Sequence, residues 1–200
     1  MLLTEITPKT HTMDLADLSY EQLAAALYHK GEREGFQKVT DKTKWREPVM
    51  AEKLGHVAHD KISAGADSEK YGSDAFDAST NRFAEYKSNA VDQNWIDIAF
   101  NNKKQRNGKS YKARNVCGVY NGAYKDSAIE AYSNIDHYFG VFYKEQCVLI
   151  IKAHTEEVIR QLVDNNNNRK PGATTNLNTV TINLDDVHKY EIAYKRKFDV

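Results

Sequence analysis

GSDAFDASTNRFAEYKS, the stretch from Gly72 to Ser88, decides how this 200-residue chain folds. From residue 82 to 89 it alternates with period two, which predicts a strand carrying Phe83, Glu85 and Lys87 on one face. The segment before it reads as the partner strand of a hairpin, and such a partner brings Asp74 beside Glu85. Two carboxylates and a lysine then meet on a single surface. Oxygen ligands of this kind suit magnesium rather than zinc.

Working outward, the residues upstream read as helical. Ser19 and Gln22 fit a capping box ahead of a helix over residues 19 to 34, with Leu23, Ala24 and Leu27 as its apolar stripe. A second helix is expected over residues 48 to 62, with Pro48 in its first turn and Met50, Leu54, Val57 and Ile62 on its buried side. On that helix Glu52, His56 and His59 share the opposite flank. Residues 65 to 72 are turn-rich.

Downstream, residues 101 to 115 carry six Lys/Arg and no acid and read as a loop or ribbon. Asp126 is a cap for a helix over 127 to 135, and 138 to 143 and 147 to 152 are apolar enough for buried central strands. A helix from Thr155 through Leu162 follows, with Val158, Ile159 and Leu162 inward. Residues 164 to 178, including Asn165 to Asn168, read as one exposed loop, and 179 to 184 alternate as a strand with Val180, Ile182 and Leu184 on one side. The order predicts an α/β (α+β) domain with a mixed sheet. A single domain over 1–200 is expected, with N-terminal helices at about 14–62 and a core at about 63–200.

Composition narrows the classes. With 40% apolar and 28% charged residues the chain can bury a real core. No apolar run approaches the ~18 residues of a membrane span. The first residues lack the apolar core of a secretory signal. Two cysteines make no disulfide framework, so Cys117 and Cys147 read as buried inert thiols in a reducing, cytoplasmic compartment. Lysine plus arginine equals aspartate plus glutamate at 28 each, which argues against a purely electrostatic nucleic-acid coat protein. A nuclease stays open, because metal-holding carboxylates offset phosphate-holding cations. No Gly-rich phosphate loop or nucleophile elbow is present.

The hairpin residues resemble the active-site motif of the PD-(D/E)XK nuclease superfamily, and more narrowly the type II restriction endonucleases. The resemblance is close over about twenty residues, Gly72 to Asp77 and Glu85 to Ser88; Ser73 stands where the motif's name has proline. It implies a restriction-endonuclease-like core, a mixed β-sheet flanked by helices. It also implies that Asp74 and Glu85 are the metal ligands, with Asp77 the alternative first ligand, and that Lys87 is the catalytic lysine. Glu52 matches the further glutamate that some members place on the preceding helix. The expected function is Mg2+-dependent hydrolysis of double-stranded DNA at a short site, with one or two Mg2+ per site, by a homodimer. A structure-specific phage or repair nuclease, or a DNA-binding protein with a vestigial site, are the rivals.

His56 and His59, three apart, have helical ligand spacing, but no second pair completes a zinc site. Tyr132, Tyr138 and Tyr143 read as core or interface residues. Lys103, Lys104, Gln105, Arg106, Asn107, Lys109, Tyr111, Lys112 and Arg114 are of the types that bind phosphate and read base edges, and are the expected DNA contacts.

Overall fold

The computed structural model describes residues 17–34, 42–58, 73–92, 95, 105–106, 109–110, 115–120, 122–123, 125–169, 178–184 and 189–196. Helices α1 (Tyr20–Glu34) and α2 (Lys42–Leu54) lead into strands β1 (Val57–Ala58), β2 (Ala75–Asp77) and β3 (Arg82–Ala90). A short ribbon of β4 (Gln105–Arg106) and β5 (Lys109–Ser110) precedes β6 (Asn115–Val119). Helix α3 (Asp126–Ser133), β7 (Asp136–Tyr143), β8 (Gln146–Ala153), α4 (Thr155–Asn167), β9 (Thr179–Asn183) and β10 (Glu191–Lys195) complete the described elements. The protein is a mixed α/β structure around a mixed sheet ordered β1-β2-β3-β7-β8-β10. Within it β3 and β7 run parallel and the other neighbours antiparallel.

Period-two alternation sorts the sheet's side chains into two cores. Val49, Met50 and Ala51 of α2 bury against Ala75, Ala84, Tyr86, Tyr138 and Ile150 on one face. On the other face Phe139, Val141, Val148 and Ile151 pack beneath α3, α4 and the β6–β9 pair, with Tyr120, Tyr132, Val158, Leu162, Val180 and Ile182. The strand expected over residues 179 to 184 forms over Thr179–Asn183, and it pairs with β6 rather than with the central sheet. The hydroxyl–amide exchange of Ser19 with Gln22 (3.2 and 2.8 Å) confirms the capping box of α1.

Helix α2 departs from expectation. It begins six residues before Pro48 and ends at Leu54, not at Ile62. An interior proline costs about 3 kcal/mol. Burying Val49 and Met50 completely, each worth about 1.5–3 kcal/mol, offsets that cost. The stop is Gly55 at φ +71°, where the amides of Gly55 and His56 bond the Glu52 and Ala51 carbonyls at 3.3 and 2.9 Å. His56 therefore leaves the helix, and Val57 is an exposed residue of β1; Ile62 and His59 lie outside the described residues.

Lys125, not Asp126, is the N-cap of α3, and its carbonyl accepts the Ala128 and Ile129 amides. The asparagines of the expected loop continue α4 through Asn167. Their amides are put to use: Asn166 Nδ2 donates to the Ala123 carbonyl (2.7 Å) and Asn165 Nδ2 to that of Thr179 (3.0 Å). Strand β10, which carries little alternation, was not foreseen. Among the described residues no helix is long and apolar enough to cross a membrane.

Candidate active site

The hairpin β2–β3 places the acid–acid–lysine set. Its register opposes Ala75 to Ala84, Phe76 to Phe83 and Asp77 to Arg82, so Asp74 falls beside Glu85 at the open end. The Asp74 amide donates to the Ala84 carbonyl at 2.8 Å, and Asp74 Oδ2 accepts the Tyr86 amide at 2.6 Å. Glu85 and Lys87 share this face, and Lys87 Nζ donates to Glu85 Oε1 in an ion pair. The structure thus brings Asp74, Glu85 and Lys87 together.

Electrostatics at Glu85 are unusual for a carboxylate. Glu85 is 4% exposed, and its Oε2 is buried with no hydrogen-bond partner among the described residues. Burial, then the nearby Asp74 charge, pushes its pKa up to about 8 against the opposing pull of Lys87; Glu47 of α2 adds to the rise. An unsatisfied buried oxygen beside a second carboxylate is the environment that an added cation relieves. Among the described residues no group of three or more His, Cys, Asp and Glu converges. Magnesium is commonly held by one or two carboxylates, with water and substrate phosphate completing its shell.

Asp77 has a different task. It lies on the opposite face, where its carboxylate accepts from Ser79 N (2.8 Å), Ser79 Oγ (2.6 Å) and Thr80 Oγ1 (2.8 Å) in the hairpin turn. These bonds, with Ser79 first, hold its pKa well below the usual carboxylate range. His56 Nε2 stands 3.7 Å from Asp77 Oδ2, and His56 Nδ1 is 2.7 Å from the Tyr86 hydroxyl. Asp77 is committed to the turn and Asp74 faces the site.

Glu52 is exposed on α2; the carboxylate of that helix whose charge reaches Glu85 is Glu47. Of the expected DNA contacts, Gln105, Arg106 and Lys109 lie in the β4–β5 ribbon, while Lys103, Lys104, Asn107, Tyr111, Lys112 and Arg114 are outside the described residues. Cys147 is buried, and its thiol is pushed up to about 12, chiefly by burial. Cys117, expected buried, is exposed, because β6 alternates with Val116 and Gly118 inward. Tyr132 and Tyr138 are core residues as expected.

Sequence reading missed the residues around Lys87 that come from distant elements. Lys87 Nζ sits 4.8 Å from the centre of the Tyr120 ring. The Tyr120 hydroxyl is 3.1 Å from His137 Nδ1, and His137 Nε2 is 2.9 Å from the Tyr132 carbonyl. A carbonyl only accepts, so Nε2 carries the hydrogen and Nδ1 receives the Tyr120 hydroxyl. Burial drives the His137 pKa down to about 4, which keeps that ring neutral. Gly118 lies directly against the lysine stem: a Cβ there would stand 2.3 Å from Lys87 Cγ. No local pattern signals these contacts; only the glycine in an alternating strand hints at close approach.

Comparison with protein-family models and with curated proteins yields no match for this chain.

Proposed function

We propose that this protein is a magnesium-dependent endonuclease of the restriction type, hydrolysing phosphodiester bonds of double-stranded DNA at a short specific site. The observation that carries the reading is the convergence of Asp74, Glu85 and Lys87 on one sheet face, with a buried oxygen on Glu85 that has no hydrogen-bond partner among the described residues. The architecture supports it: a helix precedes the hairpin, a mixed sheet follows, and helices cover both sheet faces. The restriction-endonuclease-like core that the hairpin motif implies is a fold of this mixed α/β class.

In this reading Asp74 and Glu85 hold one or two Mg2+. Bound there, the metal neutralises charge on the scissile phosphate and lowers the pKa of a water. Lys87 donates its ammonium hydrogens to the attacking water or to the phosphate, orienting the nucleophile for in-line attack. Glu47 adds negative charge near the site from α2. The basic segment 101 to 115, part of which forms the β4–β5 ribbon, is the element we assign to DNA contact. A two-fold homodimer matches a palindromic site. Two unpaired cysteines fit a reducing cytoplasm.

The test is digestion of a plasmid of known sequence with and without Mg2+. The proposal expects discrete fragments that require the metal. Nicks that follow branched or damaged structure instead would favour a structure-specific nuclease, and intact DNA under all conditions would overturn the enzymatic reading.

A further inference from the structure

Lysine is a flexible residue with a strongly hydrated head, and holding it at one spot needs contacts along the whole side chain. Strand β6 and the residue after it supply them. Asn89, two residues beyond Lys87 on the same face of β3, donates through Nδ2 to the Cys117 carbonyl and accepts the Cys117 amide through Oδ1, both at 3.0 Å. This reciprocal pair fastens β6 to β3 like one rung of a sheet. The next residue, Gly118, then meets the lysine stem, and the missing side chain is what lets Lys87 Cβ, Cγ and Cδ pass. Two residues on, the fully buried Tyr120 turns its ring face to Nζ. A cation over an aromatic face is attracted to it, more so when desolvated.

We propose that Asn89, Gly118 and Tyr120 form a positioning cradle for Lys87, in which burial holds the Tyr120 ring and its hydroxyl bond to His137 adds stability. None of these groups touches a reacting atom; they restrict the lysine to the line that ends between Glu85 and the ring. The inference rests on the nuclease reading for its consequence, a rate effect. The cradle itself is independent of that reading.

Two variants of Tyr120 separate positioning from mere stability. Tyr120→Phe keeps the ring and loses the hydroxyl bond to buried His137, so the protein melts at a lower temperature while Lys87 stays in place. Tyr120→Leu removes the ring. Misplacement of a catalytic group by about 1 Å costs about 100-fold in rate. Tyr120→Leu and Gly118→Ala should therefore slow single-turnover cleavage by about that factor, with DNA affinity in Ca2+ unchanged, whereas Tyr120→Phe stays near wild type. The readout that needs no DNA is NMR of the Lys87 ε-methylene protons. The ring current of Tyr120 should shift them upfield in the wild type and in Tyr120→Phe, and the shift should vanish in Tyr120→Leu. A rate that follows melting temperature across the set, or a Lys87 resonance at its unstructured position in the wild type, overturns the cradle. Loss of the nuclease reading alone would show as no cleavage by any protein with the upfield resonance intact.

Discussion

At the scale of single residues, the parity of a strand points the two aspartates of the hairpin to opposite faces of the sheet. Asp74 and Asp77 are three apart, so one side chain faces Glu85 and the other faces the α2 side. We expect Asp74→Asn and Glu85→Gln to abolish Mg2+-dependent cleavage. Asp77→Asn should cut at near wild-type rate and lose stability through its weakened turn bonds. Cleavage rates and melting curves for the three variants check this, and an inactive, fully stable Asp77→Asn would reverse the assignment. The sequence carried Asp74, Glu85 and Lys87 because they are close in the chain and a two-residue period fixes their face. Their choice over Asp77 needed the hairpin register. Tyr120, Gly118 and His137 were not legible, since they reach the lysine through pairing of β3 with β7 and docking of β6, contacts that no local period encodes.

At the scale of elements, helix ends were the least legible feature, and their causes are specific. Pro48 reads as a start because proline favours the first turn, yet burial of the following turn outweighs the lost hydrogen bond. Gly55 is the true stop, at φ +71°. Gly55→Ala should cost about 1–2 kcal/mol, the penalty of a side chain in the left-handed region, read as a lower denaturant midpoint with unchanged slope. No loss would mean that α2 does not need this stop. Helix α2 is also tied to the β7–β8 turn by Arg46, whose guanidinium donates twice to Glu145 at 2.9 Å, both side chains being about nine-tenths buried. Arg46→Met leaves a buried carboxylate without its cation and should cost about 3–5 kcal/mol. The double variant Arg46→Met with Glu145→Gln should recover part of that loss, and equal stability of single and double variants would contradict the pairing.

At the scale of the whole molecule, the buried polar groups at the sheet centre tie stability to pH. The His137 pKa falls from its ordinary 6.5 to about 4 on folding, so between those values the unfolded chain binds more protons than the folded one. Stability from this residue is therefore present above pH 6.5 and is lost as pH falls toward 4, by about 3 kcal/mol in all. Glu85 titrates in an overlapping range, but a comparison of wild type with His137→Gln holds it constant. Denaturation at pH 4 to 7 should show the wild type losing stability relative to the variant on acidification, and parallel profiles would contradict the buried neutral imidazole. The mixed sheet and the helices on both sides were legible as a class from element order, whereas β10 and the separate β6–β9 pairing were not, because pairing partners are chosen by tertiary contact. The proposed function requires that Asp74 and Glu85 together hold a divalent cation. Uptake of Mn2+, followed by loss of the free-ion signal in electron paramagnetic resonance, tests it without knowledge of any DNA site. Uptake is expected for the wild type and for Asp77→Asn, reversed by excess Mg2+ and lost in both Asp74→Asn and Glu85→Gln. Uptake that survives both hairpin substitutions, or is absent from the wild type, would contradict it.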